Sequence, residues 1–280
     1  MSKSEWYQPR VRTESVERVR RSRAGLYSRN TRSEVPPVVN EGMQRQWNSP
    51  EFLNMWRGLE PTVSGLTAPL MAALQPKPGE RVLDVGCGGG LPTLEVAAAV
   101  GPTGSATGAD ISEDLLELAR SRAAESGLRN ATFVNADVQV DTVPGAPFDA
   151  VFSRLGVMFF SDFVESFSNI GRHMKPGGRL VFVCFQSATA NPWFGANILA
   201  KYAPPRPPSR FPPPTPLALG EEALTREFLA EAGFRGVSFE AFDDPMDAPF
   251  TGEPMSGGML APMGLAPDVR AKAMQDTVGA

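Results

Sequence analysis

The stretch that most constrains this chain is Arg81 to Leu91, which reads Arg-Val-Leu-Asp-Val-Gly-Cys-Gly-Gly-Gly-Leu. Val82, Leu83 and Val85 make a short apolar strand. The glycines after it allow a tight turn where a backbone must approach a ligand closely. From Leu91 to Val100, a proline in the first turn followed by alanines predicts a helix. Strand, glycine turn and helix together form a nucleotide-cofactor cradle.

Details inside the cradle discriminate between cofactors. A dinucleotide fingerprint needs G-x-G-x-x-G, and here its third glycine position is Leu91. Gly86, Gly88 and Gly90 instead fit G-x-G-x-G. Asp84 stands two residues before the first glycine, where a dinucleotide strand carries an apolar residue. A carboxylate there suits a cationic ligand, which argues against an NAD-dependent reductase.

The rest of the chain repeats the strand and helix rhythm. Residues 106–110, 131–135, 148–152, 180–185 and 237–242 read as strands. Helices are predicted from Ser112, an N-cap with Glu113 and Asp114 behind it, to Gly127, and then over 161–175 and 221–232. This alternation predicts an α/β fold, a Rossmann-like doubly wound and mostly parallel sheet, with an N-terminal helical cap and C-terminal lid segments. Residues 1–40 hold nine basic groups against four glutamates, with only a weak apolar face at Val11, Val16 and Val19, and read as a basic, mobile extension. Residues 41–75 form the helical cap: Ser49 is an N-cap before Pro50, and Phe52, Met55, Trp56 and Leu59 share one helical face. Residues 76–187 are the cofactor-binding core, 188–220 a proline-rich insertion or lid, 221–243 the last helix and strand, and 244–280 a tail or lid rich in Met, Gly and Pro.

In an open parallel sheet, ligands gather outside the carboxyl ends of the strands. The polar residues placed there are Asp84, Asp110, Asp137 and Ser153. Asp110 has two oxygens for the two hydroxyls of a ribose, and Ile111 beside it offers an apolar surface to an adenine. Asp137 can accept from the adenine amino group, with Val138 on the ring face or offering its backbone nitrogen. Each acid alone is equally the pattern of a helix cap. Three of them in register after the glycine turn point to one bound nucleoside.

These segments, with Phe-Asp-Ala-Val-Phe-Ser-Arg and Met-Lys-Pro-Gly-Gly-Arg-Leu, carry a resemblance to the class I S-adenosylmethionine-dependent methyltransferases over residues 44–242. The likeness is to the small-molecule branch that includes the quinone-biosynthesis enzymes. It implies S-adenosylmethionine as cofactor, contacted at Asp84 by its methionine end, along the turn Gly86, Cys87 and Gly88, and at Asp110, Ile111, Asp137, Val138 and Ser153. It also implies an aromatic from the N-terminal helices, Trp47 or Trp56, closing over the methionine end. The family ordinarily finishes with a seventh strand antiparallel to its neighbours, and no strand is legible after Asp244.

Methyl transfer from a sulfonium needs alignment and exclusion of water more than acid catalysis. The single histidine, His173, is read as a surface residue near a helix end, and no catalytic base is assigned. Nucleobase amino-methylation would require Asn or Asp before two prolines, where Ser153-Arg154-Leu155-Gly156 stands. Neither a cysteine nucleophile beside proline nor a metal-ligand cluster is present. What remains is an apolar entrance of Met158, Phe159, Phe160, Trp193 and Phe194, hence a small lipophilic or aromatic acceptor. A methyltransferase-like binding protein without catalysis is the other reading. The net charge of −4 gives no global reason for a nucleic-acid partner, two cysteines cannot build a disulfide framework, and no apolar run is long enough to span a bilayer. The expectation is a cytoplasmic enzyme, with a homodimer left open.

Overall fold

The computed structural model describes residues 10–18, 41–191, 201, 209–212, 214–243, 269 and 272. Strand β1 (Arg10–Arg18) comes first, followed by helices α1 (Glu41–Trp47), α2 (Pro50–Leu59) and α3 (Thr67–Leu74). The α/β succession is β2 (Arg81–Val85), α4 (Leu91–Val100), β3 (Ser105–Asp110), α5 (Glu113–Ser126), β4 (Ala131–Asn135), β5 (Phe148–Arg154), α6 (Phe163–Arg172) and β6 (Met174–Phe185). Helix α7 (Glu222–Glu231) and β7 (Phe234–Asp243) complete it.

The strands form one sheet in the order β4-β3-β2-β5-β6-β1-β7. From β4 to β6 every pair is parallel. Val82 to Val85 are buried throughout, as a central parallel strand covered on both faces must be. The chain starts this parallel array at β2, adds β3 and β4 on one side, then crosses to add β5 and β6 on the other. The switch in strand order therefore lies between β2 and β5, and in open parallel sheets ligands bind outside the carboxyl ends of the strands at such a switch.

On the α6 and α7 side the core is closed by aromatic stacking. Phe163 of α6 lies parallel to Phe228 of α7 with centroids 5.3 Å apart, and Phe167 stacks on Phe182 of β6 at 5.6 Å. Leu66, Leu70 and Leu74 of the helical cap are fully buried against the same cluster. Arg179 of β6 ties the end of α3 to the sheet by donating to the carbonyls of Leu74 and Gln75 and to both oxygens of Glu80.

Residues 10–18 correct the expectation of a mobile extension. Strand β1 runs antiparallel between β6 and β7, with Val11 opposite Phe185 and Phe242, and Thr13 opposite Val183 and Glu240. The register shifts between Ser15 and Glu17. Residues 10–18 are mostly Arg, Glu, Thr and Ser, with only two valines, so the segment does not look like a strand by its hydropathy. A strand with neighbours on both sides is held mainly through its backbone, which hydropathy does not report. The antiparallel member of the sheet thus comes from the start of this sequence, where the resemblance had placed it at the end.

Each N–H of a strand paired on both sides points to one neighbour or the other, so a proline there must remove a ladder bond. Thr13→Pro should cost about 3 kcal/mol, a fall in Tm of about 6 to 12 °C for a domain of this size. Calorimetry showing an unchanged Tm would place β1 outside the sheet.

Candidate cofactor site

The turn after β2 is shaped by what stands against each glycine. Gly86 has a φ of +70°, and a Cβ there would lie 2.9 Å from the Cα of Gly156. In return, a Cβ on Gly156 would lie 2.6 Å from the Val85 carbonyl oxygen. The ends of β2 and β5 therefore touch backbone to backbone. Ser153 holds this contact, because its hydroxyl donates to the Val85 carbonyl at 2.7 Å and accepts from the amides of Gly156 and Val157. Fully buried and fully engaged, Ser153 braces the turn instead of facing a cofactor as the resemblance implied. Cys87 is likewise buried, its sulfur beside Gly108, and burial pushes its thiol pKa up.

Asp84 leaves the end of β2 and is 2 % exposed. The Thr93 hydroxyl donates to its Oδ2 at 2.6 Å, and Oδ1 accepts from no group among the described residues. Burial pushes its carboxyl up to about 7, against the opposing effects of the Thr93 hydrogen bond and the Arg154 charge. A buried carboxylate with an oxygen to spare calls for a cationic ligand.

Asp110 ends β3, and its two oxygens accept from the amides of Gly88 at 2.8 Å and Ser112 at 2.9 Å. Burial raises its pKa and these amides lower it. Each oxygen has a further lone pair, so the paired hydroxyls of a ribose fit here. Asp137 is half-buried, and its Oδ1 accepts from the amide and side-chain nitrogen of Gln139. Gln139 is in turn anchored to Ser161. Val138 is packed in the core, and Ile111 is half-buried beside Asp110.

The helical cap is fastened across these strand ends at two points. At the α1–α2 junction, Asn48 donates to the Ile111 carbonyl and accepts from the Glu113 amide, while the Ser112 hydroxyl donates to the Trp47 carbonyl. Ser112 was expected to cap α5; Asn48 supplies the side-chain oxygen at that helix start instead. At the end of α2, Glu60 makes a bidentate pair with Arg122 of α5, whose Nη1 also donates to the Gly89 carbonyl. Trp56, one turn before Glu60, lies over the glycine turn. Its ring is 3.0 Å from where a Cβ on Gly88 would be, and its buried Nε1 has no hydrogen-bond partner among the described residues.

The expected apolar entrance divides. Met158 and Phe160 are core residues, Phe160 packing edge-on against Phe167. The 3-10 turn after β5 buries Val157 and Met158 together, and Phe160 follows it into the core. Phe159 is half-buried and meets Trp47 edge-on at 4.9 Å, and Trp47 meets Phe52 at 4.0 Å. Trp193 and Phe194 lie outside the described residues. His173 is not a surface residue: it is 5 % exposed, Nδ1 donates to the Asn169 carbonyl and Nε2 accepts from the Val143 amide.

Thr93, Asn48, Glu60, Arg122, Gln139 and Arg154 were not singled out from the sequence. Only Thr93 and Arg154 had a positional signal, one in the first turn of the helix after the glycines and the other at the end of a central strand. The described residues contain no group of three or more side chains able to hold a metal ion and no helix long and apolar enough to cross a membrane.

Residues 82–178 match the family model described as a methyltransferase domain. The chain is 35 % identical over 162 residues to an aklanonic acid methyltransferase of Streptomyces sp. (strain C5), covering 55 % of this chain and 68 % of that protein. It is 37 % identical to a ubiquinone/menaquinone biosynthesis C-methyltransferase of Ectopseudomonas mendocina (strain ymp), over 41 % of this chain and 45 % of that protein. To a nocamycin O-methyltransferase of Saccharothrix syringae it is 32 % identical, over 40 % of each chain. The chain thus spans two thirds of the first relative and less than half of the other two.

Two measurements check this geometry. His173→Ala leaves the buried Val143 amide without its acceptor and should cost about 1 to 3 kcal/mol of stability, with ligand affinity of the folded protein unchanged. Lost affinity at full stability would return His173 to the site. Asp84 has a folded pKa of about 7 against an ordinary 3.8, so the fold favours its protonated form. Its contribution is fully present below about pH 4 and is lost as pH rises through 7, on the order of 4 kcal/mol as an upper bound. Between pH 4.5 and 7.5, the ligand-free protein should lose more stability in urea titrations than Asp84→Asn does. Parallel losses would show that Asp84 does not titrate there.

Proposed function

The chain belongs to the class I S-adenosylmethionine-dependent methyltransferases, and from that premise we propose that it transfers the methyl group to a small lipophilic or aromatic acceptor. The observation that supports the reading is that Asp110, at the end of β3, holds the Gly88 amide of the turn that follows β2, with the buried Asp84 at the end of β2 and Asp137 just beyond the next strand, β4. Their chemistry fits the cofactor. Asp84 suits an ammonium, the free lone pairs of Asp110 suit two ribose hydroxyls, and Asp137 suits the adenine amino group. The bound cofactor supplies an electrophilic methyl on a sulfonium whose sulfur leaves neutral.

The chain's own contribution is placement and dryness. Ser153 and the Gly86–Gly156 contact set the turn against which the cofactor lies. The α1–α2 junction, bonded to Ile111, Ser112 and Glu113, covers the nucleoside side. The Glu60–Arg122 pair covers the other. Phe159 and Trp47 make an aromatic rim where an acceptor ring can pack. No side chain is assigned as a base, since the one histidine has both nitrogens engaged in the core. An acid is the first acceptor to try, because the relative aligned over two thirds of its length acts, by its name, on aklanonic acid.

Radiolabelled S-adenosylmethionine incubated with a panel of aromatic acids, phenols and quinols should give a methylated product. Tight cofactor binding with no product from any class would favour the non-catalytic binding protein. Asp110→Ala should weaken cofactor binding by about 1.5 to 3 kcal/mol, the range for hydrogen bonds to a charged group. Unchanged affinity by calorimetry in a folded variant would remove Asp110 from the site.

A further inference from the structure

Arg154, the last residue of β5, is 7 % exposed, yet no carboxylate lies within ion-pair distance of it among the described residues. Its Nη1 donates to the Thr67 hydroxyl at 2.8 Å and more loosely to the Val63 carbonyl at 3.4 Å. Nε and Nη2 have no acceptor among the described residues. A guanidinium in such surroundings is expensive to keep, because neutral oxygens repay little of its lost hydration. It also sits at the start of α3, the end of a helix that favours anions.

Its neighbour is the complementary anomaly. Asp84 pairs with Phe152 in the parallel ladder, and Arg154 follows Phe152 by two residues. Side chains alternate across a strand, so Asp84 and Arg154 leave the sheet on one face, the face where α3 meets Arg154 through Thr67 and α4 meets Asp84 through Thr93. Strand spacing and rise put their Cα atoms about 8 Å apart. Each feels the other's charge, but they form no direct pair. Nearby carboxylate Glu60 is already taken by Arg122. The region also holds the orphaned Nε1–H of Trp56, a donor without an acceptor.

A buried carboxyl with a free oxygen, a buried cation with free N–H groups and a spare indole donor together complement a small zwitterion, whose ammonium would hold the carboxyl in its ionised form and whose carboxylate would meet the cation. We propose that Arg154 is a cofactor-positioning residue that binds the carboxylate at the amino-acid end of S-adenosylmethionine while Asp84 binds the ammonium. The assignment rests on the methyltransferase reading and adds to it the residue that orients this end of the cofactor. Anchoring both charges fixes the direction of the chain that carries the sulfonium, so Arg154 would act on methyl alignment without touching the acceptor.

The test is calorimetry on the full chain with ligands that differ only at this end. S-adenosylhomocysteine carries the zwitterion, and 5′-methylthioadenosine lacks it. Arg154→Gln should weaken S-adenosylhomocysteine about tenfold or more and leave 5′-methylthioadenosine within about twofold, with Arg154→Lys recovering part of the loss by keeping the charge. Equal weakening of both ligands, or of neither, would overturn the assignment. The wild-type protein gives a second reading that needs no variant. Decarboxylated S-adenosylmethionine, which keeps the ammonium and sulfonium, should bind about tenfold or more weakly than S-adenosylmethionine. Equal affinity for the two would overturn the role of Arg154 even if the Gln variant does not fold. Failure of the wild type to bind any of these adenosyl compounds would instead overturn the methyltransferase reading.

Discussion

The close passage of Gly86 and Gly156 is the constraint on which the site depends. With under 3 Å between the Cα of Gly156 and a Cβ built on Gly86, no larger residue fits at either position without moving backbone. This contact brings the ends of β2 and β5 together at the switch point, where Asp84 and Arg154 leave the sheet on one face and the turn reaches Asp110 through the Gly88 amide. Ser153 locks the arrangement by satisfying the Val85 carbonyl and two amides of the β5 turn with one hydroxyl. The candidate site is thus built from backbone proximity first and side-chain chemistry second.

Buried charge is organised in two tiers around that turn. Glu60 and Arg122 neutralise each other in a fork and also hold the Gly89 carbonyl, so they act as a clasp between the helical cap and the turn. Asp84 and Arg154 remain only partly compensated. A fold that can pair its buried ions, as it does with Glu60, leaves others unpaired where a ligand completes them. Such a site is less stable empty than filled.

The features legible in the sequence were those encoded locally. The turn, Asp84, Asp110 and Asp137 each follow a short apolar run, and α4 and β4 have the bounds their residues suggest. Features made by distant residues were not legible. Nothing near Glu60 in the sequence announces Arg122, and nothing near Asn48 announces the start of α5. Ser153 looked like a ligand because it stands at a strand end, and only the neighbouring Val85 carbonyl reveals its structural use. His173 looked exposed because helical phase places it away from the α6 stripe, whereas the Val143 loop covers that side. Met158 and Phe160 looked like an entrance because apolar residues after a strand read the same whether they face a ligand or the core.

Strand β1 imposes an order on assembly. It leaves the ribosome before every other element described, yet its two partners, β6 and β7, are the last strands to be made, and Val11 must wait for Phe185 and Phe242. In the meantime the five parallel strands can condense around the aromatic core, but β7 has no other strand to join. Closing the sheet is therefore a late, long-range event with a high loop-closure cost. A nascent chain carries an unpaired β6 edge until β1 returns to fill it, and that interval is when the molecule is most open to pairing with the wrong strand.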